Sequence, residues 1–106
     1  AGLDCSGFVQ HVYSHAGFCL PRTARAQAYA RGVTLESWSR ARLGDLVYWR
    51  RGHIAIYRGW WDGHHHIWES GRPGTRTTGR ALYPRTSSWD RLALPRRVDF
   101  TRLHRC

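Results

Sequence analysis

Cys5 lies in the string Asp4-Cys5-Ser6-Gly7, at the first turn of a stretch whose apolar residues recur at helical spacing. A helix amino end carries partial positive charge and unpaired N–H groups, both of which stabilise a thiolate and lower its pKa. The same N–H groups offer a seat for the oxyanion of a tetrahedral intermediate. Gly7 lets a substrate or a packed strand approach the backbone closely. Taken alone, a cysteine there is more often a small buried residue starting an ordinary helix. A nucleophile reading therefore needs a base.

Seven histidines are present. His11 and His15 stand four residues apart on the expected first helix, where a metal pair competes with the commoner reading of solvated surface residues. His104 lies near the chain end. His53 opens the run His53-Ile54-Ala55-Ile56-Tyr57 immediately after a glycine turn. A base held on a rigid strand beside a helix start is the arrangement that a thiolate–imidazolium pair requires. A third group would orient the imidazole and hold its tautomer. It should come from the following strand, and the candidates are His64, His65, His66 and Glu69. Alternation along a strand puts His65, Ile67 and Glu69 on one face and His64, His66 and Trp68 on the other. Three neighbouring histidines that point alternately to opposite faces do not converge on one ion, so no metal site is expected.

These groups need elements to hold them. Phe8, Val9, Val12, Tyr13 and Ala16 share one helical face, Asp4 or Ser6 can cap the start, and Gly17 can end the helix in a left-handed conformation. Thr23 can cap a second, shorter helix reaching Ala30, ended by Gly32. After a loop around Trp38, residues 46–49, 53–58 and 64–69 are short runs rich in β-branched and aromatic residues. Between them lie Gly44-Asp45, Arg51-Gly52 and Trp61-Asp62-Gly63, which are turn chemistry. The expectation is an antiparallel meander ended by Arg72-Pro73-Gly74, with weaker strands over 75–78 and 97–102. Helices first and strands afterwards make an α+β fold, N-terminal helices packed on an antiparallel sheet.

Length and composition limit the alternatives. The 106 residues fit one small domain with a modest core, 42% of the chain being hydrophobic. No run reaches the length of a membrane span, and no basic-then-apolar leader is visible. Net charge is +10, and all 17 basic residues are arginine. Such a surface concentrates near polyanions. The arginines are spread along the chain and form no dense run, which argues against nucleic-acid binding as the main role. The three cysteines, Cys5, Cys19 and Cys106, form no C-x-x-C pair. One free thiol with a Cys19–Cys106 disulfide, or three thiols in a reducing compartment, both fit that count.

Asp4-Cys5-Ser6-Gly7-Phe8-Val9 resembles the signature of the NlpC-type cell-wall cysteine peptidases, papain-like enzymes that cleave peptidoglycan stem peptides. The resemblance continues through Ala16-Gly17, Leu20-Pro21-Arg22-Thr23 and Gln27. Leu43-Gly44-Asp45-Leu46-Val47-Tyr48-Trp49 and Gly52-His53-Ile54-Ala55-Ile56-Tyr57 extend it, in order and spacing, over roughly residues 2–70. It implies that Cys5 is the nucleophile and His53 the base. The third position falls on the strand after Trp60-Trp61-Asp62-Gly63, where the family has two apolar residues, a polar residue and a small one. Ile67-Trp68-Glu69-Ser70 matches with Glu69, through a hairpin a few residues longer than usual; His65 or His66 would need less insertion but lose the apolar pair. Asp4, assisted by Ser6, would anchor the free amine of the stem peptide.

The resemblance further implies one domain over residues 1–106, the C-terminal part of a longer chain, since the family's tyrosine and Trp-Gly segment would precede Ala1. No cofactor is expected. The expected activity is hydrolysis of the γ-D-glutamyl to diamino-acid bond, by a secreted, periplasmic or wall-associated protein serving division, a phage lysin or an antibacterial toxin. Expected partners are peptidoglycan stem peptides, anionic wall polymers, upstream domains of the same chain and, for a toxin, an immunity protein. Two other readings stand beside it: a papain-like acyltransferase or amidase acting on another substrate, and a non-enzymatic basic module that binds wall polymer or nucleic acid.

Overall fold

The computed structural model describes residues 4–71 and 76–106. The first helix, α1 (Cys5–His15), starts where Asp4 leaves the helical region and takes the Gly7 N–H on its side chain at 2.7 Å. It ends in a Schellman arrangement, with Phe18 N–H bonded to Tyr13 O and Gly17 N–H to Ser14 O, and Gly17 at φ 92°. Val9 and Tyr13 are its buried anchors, whereas Val12, expected on the same face, is 38% exposed at the edge of the contact. Thr23 caps α2 (Ala24–Ala28), which ends two residues earlier than its composition suggests. Ala30 instead accepts the Val33 N–H, turning the chain into β1 (Val33–Leu35). A short 3-10 turn, Trp38–Arg40, follows.

The remaining elements are β2 (Leu46–Trp49), β3 (His53–Trp61), β4 (His64–Glu69), β5 (Thr78–Ala81), a one-turn helix α3 (Ser88–Arg91) and β6 (Leu94–Val98). The strands form one antiparallel sheet in the order β1-β6-β2-β3-β4-β5. Four consecutive strands are thus the expected meander, and β6 returns to the other edge of β2. The hairpin β3–β4 is longer than expected: it continues to Trp61, and a bulge between Tyr57 and Gly59 absorbs the extra residue. Asp62 and Gly63, both at positive φ, close it.

Two sequence expectations need correction. The strand assigned to 97–102 is Leu94–Val98, because the Asp99 carboxylate takes both the N–H and the hydroxyl of Thr101 and turns the chain. Phe100, whose alternation with Val98 suggested a strand, packs instead on Tyr13 and Phe18 at ring-centroid distances of 5.9 and 5.3 Å. The strand assigned to 75–78 is Thr78–Ala81; Thr75, like the expected Arg72-Pro73-Gly74 break and Ala1-Gly2-Leu3, lies outside the described residues.

Both faces of the sheet are covered, which explains why every residue of β2 is buried. Leu46, Tyr48, Ile54 and Ile56 meet Val9, Tyr13, Leu20, Ala24 and Ala28 of the helical side. Val47, Trp49, Ala55, Tyr57 and Ile67 form a second core with Leu82 and Ala93, closed by Trp38 and Trp89. A one-residue slip of β3 would exchange the two sets, so the register is strongly specified. Cys19 and Cys106 form a disulfide across a separation of 87 residues, with Cα atoms 5.1 Å apart, beside the pairing of Phe18 with Arg105. Cys5 is left as the free thiol.

Candidate active site

Three elements converge on Cys5. The capped start of α1 presents its sulfur, half-buried, 3.7 Å from the Gly52 carbonyl oxygen. The Arg51-Gly52 turn, with Gly52 at φ 104°, delivers His53 to the first position of β3. Two indoles wall the imidazole, with ring centroids 5.0 Å away for Trp49 and 6.0 Å for Trp89. They are themselves tied together, stacked within 6° and joined by the Trp49 Nε1–H donating to the Trp89 carbonyl at 2.8 Å. Packing of this kind removes rotamer freedom from His53 and excludes water from one side of it.

Glu69, one of the four candidates for the third position, is the one that meets His53. It comes from β4, the strand beside β3, and its Oε1 lies 2.8 Å from His53 Nε2. That contact leaves Nδ1 as the nitrogen available to the Cys5 thiol. Of the other candidates, His65 bonds through Nδ1 to the Tyr57 hydroxyl at 2.6 Å and packs against Trp38 and Trp60. His66 lies flat on Trp61, and His64 reaches the Leu82 carbonyl. The three histidines point to different partners, and among the described residues no cluster of three or more His, Cys, Asp or Glu could hold a metal ion. His11 and His15 make only an edge-to-face contact on the exposed side of α1.

The electrostatics follow from these contacts. Burial pushes the Cys5 thiol up, but the imidazole of His53 and the N–H groups of Ile54 and Ser6 outweigh it and hold the thiol below its ordinary value. Burial pulls His53 down, yet its hydrogen bonds to Cys5 and Glu69 raise it to about 9. Glu69 is pushed up by burial and brought below its usual value by His53 and Arg80. Thiol lowered and imidazole raised are two sides of one charged pair.

Asp4 and Ser6 flank the thiol, and a residue without an assigned role joins them. Arg22 donates to Ser6 Oγ at 2.8 Å and to Asp4 Oδ2 at 2.9 Å. Its hydrogen bond is the main reason why Asp4 stays below the ordinary carboxylate value. Gln27, fully buried, donates to the Ser6 and Pro21 carbonyls and so fixes the second helix against the start of the first. Both residues sit in segments that carry the family resemblance, which was the only signal for them. Arg80 and Asp90 had no such signal. Arg80 Nε donates to Glu69 Oε2, and its two terminal nitrogens donate to Asp90 at 2.9 and 3.0 Å. Beside His53 and Glu69 opens a recess of about 390 Å³, lined by Gly71, Arg76, Thr78, Arg80 and Trp89.

An antiparallel sheet carrying N-terminal helices on one face, with a helix-start thiol against a strand-start imidazole, is an α+β architecture of the papain-like kind. The chain belongs to the NlpC/P60 family, whose model matches residues 1–82. It is 50% identical over 46 residues to the proteins named probable endopeptidase p60 of Listeria innocua and Listeria monocytogenes. The corresponding Listeria welshimeri protein is 48% identical over the same length. These matches cover 43% of this chain and 8–9% of the relatives, so the chain spans less than a tenth of their length. No solved structure matches it significantly.

Proposed function

We propose that this domain is a cysteine endopeptidase that hydrolyses peptidoglycan stem peptides at the γ-D-glutamyl to diamino-acid bond. The observation that carries the reading is the 2.8 Å contact of His53 with Glu69 together with the Cys5 sulfur at the start of α1, 3.7 Å from the carbonyl of Gly52, the residue before His53. The endopeptidase names of the Listeria relatives supply the reaction class. Family membership supplies the substrate class, as the resemblance implies.

In the resting site Cys5 is a thiolate and His53 an imidazolium. The sulfur attacks the γ-carbonyl carbon, and N–H groups at the α1 start receive the oxyanion. Collapse of the tetrahedral intermediate breaks the C–N bond as His53 gives its proton to the leaving amine. The neutral imidazole then takes a proton from water, whose oxygen attacks the thioester. Release of the γ-carboxylic acid restores thiolate and imidazolium. Glu69 holds the imidazole by Nε2 throughout, so that Nδ1 faces the sulfur.

Asp4 anchors the free amine of the stem peptide. Its side chain is 34% exposed and ionised, and Arg22 holds it beside Ser6 while leaving lone pairs for an ammonium group. A net charge of +10 favours residence on anionic wall polymer, and the Cys19–Cys106 bridge favours placement outside the cytoplasm, where disulfides persist. Purified muropeptides incubated with the domain and examined by mass spectrometry test the assignment. The expected products are a fragment ending in D-glutamate and a fragment with a new diamino-acid amine. Cleavage at another bond, or acyl transfer without net hydrolysis, would overturn it.

A further inference from the structure

Glu69 divides its two carboxylate oxygens between separate partners, Oε1 to His53 and Oε2 to the Nε of Arg80. Arg80 in turn is held by Asp90, whose side chain is 1% exposed and takes both terminal guanidinium nitrogens. Asp90 is no loose counter-ion. It also accepts the Tyr83 N–H at 2.8 Å, and its own N–H is capped by Ser87. A planar fork of five N–H donors, gripped at its terminal nitrogens by a buried carboxylate and the Ala81 carbonyl, presents its Nε–H in one place. A glutamate has more rotamers than a shorter or ring-bearing side chain, and an acid reaching from a strand end needs such a stop.

We infer that Arg80, locked by Asp90, is a positioning residue that sets the orientation of Glu69 and, through it, that of His53. The inference rests on the proposed thiol mechanism. Arg80 touches neither Cys5 nor His53 in this account and forms no bond with substrate. Its effect passes through one oxygen of Glu69. Asp90 offsets the charge of Arg80, so that two acids stand against one guanidinium and one imidazolium. Among the described residues, the charged and titratable groups around Glu69 are His53 from β3, Cys5 beyond it on α1, Arg76 and Arg80 on the β5 side, and Asp90 from α3.

The test reads Cys5 directly and needs no peptidoglycan. The second-order rate of Cys5 alkylation by iodoacetamide is followed across pH in the wild type, Arg80→Met, Arg80→Lys, Glu69→Gln and the Arg80→Met/Glu69→Gln double variant. The basic inflection that belongs to His53 moves down, toward the ordinary histidine value, in Glu69→Gln through loss of the opposite charge and in Arg80→Met because loss of the Glu69–His53 geometry outweighs loss of a like charge, and the double variant matches Glu69→Gln. Turnover of muropeptide in Arg80→Met falls by ~10- to 100-fold in kcat with KM little changed. Arg80→Lys, which keeps the charge without the fork, folds and shows an intermediate inflection; it carries the test if Arg80→Met does not fold. An unmoved or raised inflection in Arg80→Met, a wild-type profile in Arg80→Lys, or additive losses in the double variant would overturn the inference. Failure of the muropeptide arm in the wild type would count against the proposed substrate and leave the alkylation result standing.

Discussion

Glu69 and His53 meet across neighbouring strands, the carboxylate 2.8 Å from Nε2, sixteen positions apart in the chain. The contact depends on the β3–β4 register, in which Tyr57 faces Ile67 and Ile56 faces Trp68. It distinguishes Glu69 from His65, which shares its face of β4 but lies farther along the hairpin. Glu69→Gln keeps the shape and removes the charge. It should lower kcat by ~10- to 1,000-fold, since the imidazole loses both its anionic partner and part of its proton affinity. His65→Ala should leave kcat within about twofold and cost about 1 kcal/mol of stability through the lost Tyr57 contact. Steady-state kinetics with denaturant melts on the same samples check both.

The pH profile follows from the two shifts at the site. The thiolate exists above the lowered pKa of Cys5, and the imidazolium exists below about 9, the value to which His53 is raised. Turnover should therefore rise well before the ordinary thiol range and fall around pH 9, while alkylation, which needs the thiolate alone, rises with the same first limb and shows a second inflection, not a loss, around pH 9. In Glu69→Gln the basic limb moves to lower pH, because the imidazolium has lost an opposite charge. A stopped-flow alkylation series gives both inflections without a substrate.

Glu36 offers a stability change of opposite direction. Its side chain is 4% exposed and shares Arg97 with Asp45, and burial with the neighbouring Asp45 pushes it up to about 7. A carboxyl whose folded value is raised stabilises the fold below its ordinary value of 4.5 and loses that contribution as pH climbs through about 7. Glu36→Gln should flatten this part of the stability curve while leaving the rest of the profile in place. Thermal melts from mildly acidic to mildly alkaline buffer show whether it does.

The Cys19–Cys106 bridge closes nearly the whole chain, 87 residues of separation. In the chain-entropy account a loop of that length contributes about 4 to 5 kcal/mol, and measured losses on removing native bridges are about 2 to 5 kcal/mol. Replacing both cysteines by serine should lower the denaturant midpoint accordingly. Cys5 reactivity should persist wherever the variant is folded, because the site sits at the other end of α1 from the bridge.

Much of the site was legible because its parts are local. Asp4 caps a helix whose first residue is Cys5, and a glycine turn starts the strand whose first residue is His53; both are read from a few adjacent residues. Alternation along β4 put Glu69 and His65 on one face, but the choice between them needed the hairpin register and its bulge. Arg80 and Asp90 stayed hidden for a different reason. They lie on a four-residue strand containing Gly79 and on a one-turn helix, neither with a period long enough to read, and they meet Glu69 only through the tertiary fold. The last strand was misplaced because Val98 and Phe100 alternate as a strand would, while Asp99 between them turns the chain.

The central claim is that Cys5 carries the chemistry, and the most direct measurement is the release of soluble fragments from purified peptidoglycan by the wild type and by Cys5→Ala. The substitution removes the sulfur at a half-buried helix start, so the variant should fold with an unchanged melt. The account predicts steady release by the wild type and release by Cys5→Ala no faster than the uncatalysed background. Fragment release by Cys5→Ala at a rate near that of the wild type would contradict it.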